Sequence, residues 1–176
     1  MPTSPASGEV PRECGDWKCT KLKRRLEAYQ IKEWMVGMTY WLLKTEPETF
    51  SWDDQVARGA KGEPWTGVRN YRARGHLKAM KNGDRAFFYH TGGEKQVVGI
   101  VEVIREAYPD PTDDTAVFRA VDVKAVRPLP KPVTLKAVKA DRRVKDMVLA
   151  KQPRLSVQPV TADEWRIVCS MGGIET

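Results

Sequence analysis

The segment RAFFYHTGGEKQVVGIVEVIREA, residues 85–107, determines the fold more than any other stretch of this chain. Arg85–His90 has high β propensity, and Thr91–Gly92–Gly93 supplies the small residues that a turn requires. Gln96–Ala107 alternates well enough to predict a long strand, in which Gly99 marks a bulge or the close approach of another group. The segment therefore predicts two strands joined by a turn.

Three elements are predicted on the N-terminal side of this segment. Ser51 and Asp54 have the spacing of a capping box at the start of a helix. Asn70 opens a second helix, which lysines and an Asn-Gly pair bring to an end. The predicted elements are a strand at Tyr40–Lys44, a helix at Trp52–Arg58 that ends at Gly59, and a helix from Asn70 to about Lys81.

The C-terminal side is predicted to add two strands and further short helices. Three prolines, at positions 128, 130 and 132, mark a stiff connector between elements. Thr134 caps one helix, and Thr161 with Glu164 forms a second capping box. The predicted elements are a strand at Ala116–Val126, a helix at Leu135–Ala140, a helical turn around Arg142–Leu149, a strand at Arg154–Val160 and a last helix that Gly172–Gly173 stops.

The order of these elements, β-α-α-β-β-β-α-β-α, argues against a doubly wound parallel sheet. Five strands with helices inserted between them favour an α+β fold built on a small curled mixed sheet or barrel.

With 176 residues, the chain is predicted to form one domain at residues 38–174, preceded by an N-terminal extension at residues 1–37. Met1–Pro11 is rich in Pro, Ser and Gly and is predicted to be disordered, whereas Lys18–Trp34 has the spacing of a basic, weakly amphipathic helix. Two explanations of the extension stay open. Met38 is the working initiator, which we prefer, or the extension is a basic tail that assists binding.

The composition is that of a soluble protein, with a mean hydropathy of −0.53 and 30% charged residues. No apolar run approaches the roughly 20 residues that a membrane helix needs. The N-terminus lacks the basic and apolar regions of a signal peptide. We therefore expect a cytoplasmic protein, nuclear if the source is eukaryotic, with no membrane partner.

The net charge of +7 is concentrated in two segments of the chain. Thr66–Arg85 holds six basic residues and one acidic residue, and Arg127–Arg154 holds nine basic and two acidic residues. If the two segments adjoin in space, they form one basic face that suits a polyanionic partner. The alternative is two ordinary solvated helix surfaces.

Signatures of catalysis, metal binding and cofactor binding are missing from the sequence. It has no phosphate loop and no GxGxxG, HExxH or GxSxG motif. Cys14, Cys19 and Cys169 lack the paired spacing of a zinc site, and an odd cysteine count fits a reducing compartment. We therefore expect no metal, no cofactor and no catalytic residues.

One stretch, WTGVRNYRAR at residues 65–74, holds two aromatic rings, three guanidinium groups and one side-chain amide. The rings offer π-faces for a base, and the arginines offer planar donors for phosphate or a base edge. The amide of Asn70 can both donate and accept a hydrogen bond. The alternative is an exposed helix start with a charged face, which explains the arginines better than it explains the rings beside them.

Four motifs in order and at suitable spacing resemble the EVE domain family. They are YWLLKTEP at 40–47, WTGVRNYRAR at 65–74, FFYH at 87–90 and RLSVQP at 154–159, and Ala107–Asp110 also matches. The resemblance covers about Met38 to Ile174. It implies a PUA-like fold, a small curved β-barrel with flanking helices akin to the YTH domain. It also implies a pocket for a modified base of DNA or RNA, without catalysis.

The resemblance implies a set of nucleic-acid-binding residues, each at a position that matches a family motif. They are Trp41, Lys44, Trp65, Val68, Arg69, Asn70, Tyr71, Arg72, Arg74, Tyr89, His90, Ser156, Gln158 and Pro159.

Our leading interpretation is a monomeric, non-enzymatic reader of nucleic acid. A flipped or unpaired modified base stacks on an aromatic ring near Trp65, at roughly 1–3 kcal/mol per base, while Asn70, Ser156 or Gln158 reads its edge. Two alternatives stay open. One is an enzyme acting on a modified nucleotide, with Tyr89, His90 or Glu46 as acid–base groups. The other is a small-molecule or protein-interaction module whose basic faces contact an acidic partner.

Overall fold

The computed structural model describes residues 39–175, so the predicted extension at residues 1–37, with its helix at Lys18–Trp34, lies outside the described residues. The described strands are β1 (Tyr40–Thr45), β2 (Glu63–Pro64), β3 (Arg85–His90), β4 (Gln96–Pro109), β5 (Arg119–Thr134) and β6 (Val157–Val160). The α-helices are α1 (Trp52–Ala57), α2 (Tyr71–Ala79), α3 (Leu135–Ala140), α4 (Val148–Lys151) and α5 (Ala162–Met171).

The described strands form one mixed sheet in the order β2-β5-β4-β3-β1-β6. β1 and β3 are parallel, and the other neighbours are antiparallel. The two outermost strands, β2 and β6, are not paired with each other, so the sheet of the described residues is open. The predicted α+β class and mixed sheet are confirmed, whereas the small curved barrel is not. The sheet also has one strand more than predicted, β2, which is too short for its alternation to be recognised in the sequence.

Most helices begin where the sequence predicts. Ser51 caps α1 with Asp54 completing a capping box, and Thr161 does the same for α5 with Glu164. The Asn70 side chain accepts hydrogen bonds from two amides in the first turn of α2. These bonds satisfy amide groups that have no partner within the helix.

The connector predicted at Pro128–Pro132 is wrong, because β5 continues through all three prolines to Thr134. Pro128 lies opposite Gly99, whereas Val133 lies opposite Val97, so the intervening residues of β5 bulge away from the ladder. Proline has no N–H to donate and is tolerated in a strand where the ladder is interrupted.

Gly99 brings α1 onto the sheet. A Cβ atom at this position would lie 2.3 Å from the indole of Trp52, so only glycine leaves room for the ring. The close approach predicted from the sequence is therefore confirmed, and it fixes the start of α1 above β4.

The sheet separates two groups of buried side chains. Trp41, Leu43 and Phe88 belong to a core cluster that includes Leu77 of α2. On the other side, the rings of Tyr40 and Phe87 stack on Trp165 of α5, with centroids 4.5 and 4.1 Å away. Adjacent residues of a strand point to opposite faces, so Phe87 and Phe88 pack on opposite sides of the sheet. No helix in residues 39–175 is both long and apolar enough to cross a bilayer.

Candidate functional site

The loop from Trp65 to Asn70 leaves β2 and leads into α2. Its start is held by the sheet, since the Trp65 amide donates to the Val121 carbonyl at 2.7 Å. Gly67 has a φ of 77°, a left-handed conformation that other residues rarely adopt. The loop therefore turns sharply between its fixed start and the N-cap of α2.

Asp110, which follows β4, anchors this loop from beneath. Its carboxylate is fully buried, and Oδ2 accepts from the Gly67 amide at 2.9 Å and from Arg69 Nη1 at 2.7 Å. The amide and hydroxyl of Thr112 donate to Oδ1 at 2.8 and 2.7 Å. Burial raises the pKa of the Asp110 carboxyl, but these hydrogen bonds outweigh it and lower the pKa to about 2. The carboxylate is thus charged and fixes the loop.

A cleft of about 370 Å³ opens between this loop, the end of β1 and the segment before β6. It falls within the range of about 300–1,000 Å³ that is usual for small-molecule sites. It brings together five of the residues predicted from the sequence: Lys44, Trp65, Val68, Arg69 and Ser156. Its other lining residues are Thr45, Thr49, Phe50, Glu63, Pro64, Thr66 and Gly67.

Trp65 lines the cleft but exposes little of its ring. Its side chain is 7% exposed, and the ring meets Phe88 edge-on with centroids 5.6 Å apart. Core packing therefore occupies most of the indole, and the stacking of a base on an aromatic ring near Trp65 stays a prediction. Phe50 is the half-buried aromatic of the cleft, with its ring 6.3 Å from that of Phe88.

Lys44 is the partly buried cation of the cleft. Its Nζ donates to the carbonyl oxygens of Pro153 at 3.0 Å and Gln152 at 3.5 Å, and lies 5.7 Å from the centre of the Tyr89 ring. Burial lowers the pKa of Lys44 from 10.5 to about 8, because it disfavours the charged ammonium. No carboxylate forms a salt bridge with Lys44 within the described part of the chain. The amine is therefore available to an anion from outside.

This burial gives a stability prediction. Between pH 8 and 10.5 the unfolded Lys44 binds more protons than the folded one, so stability should rise with pH across this window. Lys44→Met should remove that part of the rise and make the protein more stable near neutral pH. Urea unfolding of both proteins across the window measures the difference. Parallel pH profiles for the two proteins would contradict the assigned burial.

The two basic segments of the sequence adjoin beside the cleft. Arg72 Nη1 donates to Gln152 Oε1 at 2.9 Å, and a second cleft of about 320 Å³ lies at this contact. Its lining residues are Asn70, Arg72, Gln152, Pro153, Arg154 and Leu155. The two segments therefore meet at this junction, which brings Arg72 and Arg154 into the lining of one cleft, and a single basic face stays a prediction.

Tyr71 and Arg74 lie on the outer side of α2. Tyr71 is 67% exposed, and its ring is 5.4 Å from that of Phe118. The guanidinium of Arg74 lies 5.1 Å from the Tyr71 ring, and that of Arg69 lies 5.5 Å from Phe118. These contacts form an exposed aromatic and cationic surface beside the loop.

Three further predicted site residues lie on β1 and β6. The Trp41 indole donates to Asp84 Oδ2 at 2.9 Å beneath α2. Gln158 is buried, and its amide nitrogen donates to the carbonyl oxygens of Gln152 and Leu155. Pro159 is exposed on β6, opposite Trp41 in the strand register. None of the three lines the cleft beside Trp65.

Tyr89 and His90 also lie outside that cleft. Burial raises the pKa of Tyr89 to about 12, so its hydroxyl holds its proton near neutral pH. His90 is buried, with Nε2 accepting from the Trp52 amide at 3.1 Å and Nδ1 lying 2.7 Å from a Glu94 carboxylate oxygen. Both ring nitrogens of His90 thus have partners.

Sequence reasoning missed the roles of Phe50, Thr66, Asp110 and Gln152. Asp110 stood in a segment that matched the family, but nothing local indicated that it would bind a loop more than forty residues away. Thr66 lies beside the predicted site residue Trp65, whereas Phe50 lies between the YWLLKTEP motif and the N-cap Ser51. No periodicity distinguishes either residue.

The chain matches a family model and is similar to several known proteins. Residues 39–171 match the EVE domain model. Human Thymocyte nuclear protein 1 is 34% identical over 165 residues, covering 76% of this chain and 73% of that protein. The NMR structure of Rpa0253 from Rhodopseudomonas palustris is 62% identical with a TM-score of 0.74, covering 77% of this chain and 94% of that chain.

A crystal structure of human THYN1 in complex with 5-methylcytosine containing DNA is also similar. It is 33% identical with a TM-score of 0.71, covering 78% of this chain and 99% of that chain. The family model extends over most of this sequence. It includes the residues that line the cleft, the buried Asp110 and the contact between Arg72 and Gln152. The chain therefore belongs to the EVE domain family.

Proposed function

We propose that the protein binds a modified base of DNA or RNA in the cleft beside Trp65 and catalyses no reaction. The observation that carries this proposal is the open cleft of about 370 Å³ lined by Lys44, a cation that forms no salt bridge within the described residues. A flipped or unpaired nucleotide requires such a combination of a recess for its base and positive charge for its phosphate.

The lining of the cleft supports recognition of a base. The Phe50 ring and the visible part of Trp65 supply apolar contact, while Thr66 and Ser156 supply hydroxyl groups that can donate or accept hydrogen bonds. A methyl group on a base would gain from the apolar wall, and the base edge would gain from the hydroxyls.

The charged groups of the cleft favour binding over catalysis. Glu63 is the carboxylate in the lining, and it forms a salt bridge with Arg58 at 2.9 Å. General acid–base catalysis requires a group that can exchange a proton within reach of the substrate. None of the candidates Tyr89, His90 and Glu46 lines the cleft. The tyrosine proton is tightly held, and both histidine nitrogens have partners.

The relatives indicate the first ligand to test. Human THYN1, at 33% identity, has been crystallised with DNA that contains 5-methylcytosine. We take 5-methylcytosine in single-stranded DNA as the first probe, with cytosine as its plain counterpart, and the same pair in RNA as the second.

Filling the cleft provides the decisive test. In Ser156→Phe, the larger side chain should occupy the cleft and abolish the preference for 5-methylcytosine over cytosine, measured by fluorescence anisotropy of labelled oligonucleotides. Ser170→Phe, at an exposed position of α5, is the matched control and should keep the preference. The proposal is wrong if the wild type binds both bases equally in DNA and in RNA, or if Ser156→Phe keeps the wild-type preference.

A further inference from the structure

Three clefts of the described surface lie next to one another and share lining residues. The cleft beside Trp65 shares Lys44 with a narrower cleft of about 120 Å³. That cleft in turn shares Lys95 and Leu135 with an open cleft of about 550 Å³ beside α3. The shared residues place the three recesses in a row, here called the track, which leads away from the proposed base site.

The far end of the track is basic. Lys95, Lys136 and Lys139 line it, and none of them forms a salt bridge with a residue in the described range 39–175. Lys136 and Lys139 are three apart on α3, so they share one side of that helix. Glu94 supplies the carboxylate in the lining of this cleft, and its Oε2 lies 2.7 Å from His90 Nδ1.

Lys95 holds a conformation that a lysine does not favour. Its φ is 49°, in the left-handed region that glycine adopts without a steric penalty. Its carbonyl oxygen accepts a hydrogen bond from the Leu135 amide at 2.7 Å. A strained backbone that carries a functional side chain is typical of binding sites. Glycine would relax the backbone here and remove the ammonium group.

We propose that this track binds the phosphodiester backbone of the nucleotides on one side of the bound base, through Lys95, Lys136 and Lys139. The inference rests on the proposed function, since the track begins at the base cleft. Its consequence is directional: the protein gains affinity when the strand is extended from the base toward the track.

Oligonucleotide extension tests this directly. A five-nucleotide single-stranded DNA with a central 5-methylcytosine is compared with versions lengthened at the 5′ or the 3′ end. The wild type should gain affinity from lengthening at one end, and Lys95→Gly/Lys136→Ala/Lys139→Ala should lose that gain. The slope of log affinity against log salt should fall by about 2 for three lysines, at about 0.7 per phosphate of a single strand.

Two further variants separate charge from folding. Lys95→Gly alone should weaken binding of the lengthened strand without lowering the melting temperature, because glycine accommodates the left-handed backbone. Lys131→Ala removes an exposed lysine on β5 outside the three clefts and should leave the end-dependent gain unchanged.

The outcomes distinguish a failure of the proposed track from a failure of the proposed function. If the triple variant keeps both the extension gain and the salt slope while the wild type prefers 5-methylcytosine, the track is overturned and the proposed function stands. If the wild type shows the lysine-dependent extension gain but binds 5-methylcytosine and cytosine equally in DNA and RNA, the track stands and the proposed function fails.

Discussion

Phe88→Ala is expected to abolish the preference for the modified base and to cost about 3–5 kcal/mol of unfolding free energy. Phe88 is fully buried, and its ring lies 5.4 to 6.3 Å from the rings of Phe50, Trp52, Trp65 and His90. Truncation leaves a cavity behind both aromatic walls of the cleft, so those walls lose their fixed positions. Urea unfolding and anisotropy titration of the folded protein measure the two effects.

Phe87→Ala is the matched control for this prediction. Phe87 is the preceding residue of β3 and is also fully buried, but it stacks on Trp165 on the other side of the sheet. Its truncation should cost a similar free energy of unfolding while leaving the base preference of the folded protein unchanged. Equal loss of preference in both variants would show that the cleft depends on global stability and not on the support from Phe88.

Asp110→Asn is expected to cost about 3 kcal/mol of stability, because it removes the buried carboxylate of an ion pair and leaves its partner groups unsatisfied. An asparagine amide has a single oxygen, so it cannot accept from Gly67 and Arg69 at one atom and from Thr112 at the other. The Trp65–Asn70 loop should loosen and affinity for the 5-methylcytosine oligonucleotide should fall about tenfold or more, equivalent to about 1.4 kcal/mol.

The same carboxylate gives a defined acid response. Its pKa falls from 3.8 to about 2 on folding, so its contribution to stability is complete above 3.8 and is lost as the pH falls toward 2. Asp110→Asn should lack that part of the acid destabilisation in urea unfolding across this window.

Asp113→Asn serves as the control, because Asp113 lies with Asp110 in the segment between β4 and β5. The Asp113 carboxylate accepts from Thr115 and from the Phe118 amide but not from the Trp65–Asn70 loop. It should lower local stability and leave oligonucleotide affinity unchanged. If Asp110→Asn binds as tightly as the wild type, the loop does not depend on its anchor.

The candidate site was only partly predictable from the sequence. The stretch Trp65–Arg74 was selected for its rings and guanidiniums, and the structure does place it beside a cleft. Its composition could not show which side chains core packing would consume. Trp65 packs against the core, whereas Tyr71 is 67% exposed on the outer side of α2. The difference depends on where Phe88 and Phe118 lie, and both are distant in sequence.

The strand predictions failed where pairing overrode local preference. Pro128, Pro130 and Pro132 predicted a connector, but a bulge opposite Val98 lets β5 continue through them. β2 consists of two residues whose strand character exists only because Val123 and Asp122 pair with them. A short strand carries no periodic signal of its own.

The sequence by itself determined the starts of the four capped helices, the hairpin of β3 and β4, and the set of motifs that mark an EVE domain. The start of α4 at Val148 did not follow from the predicted helical turn around Arg142–Leu149. A cap or a turn depends on side chains and amides within about four residues, so the local sequence is sufficient. Only the tertiary structure decided that Lys44, Arg69 and Ser156 meet in one cleft, with Asp110 beneath the loop. Those contacts join segments of different strands, and burial and pairing of the whole sheet set which side chains reach them.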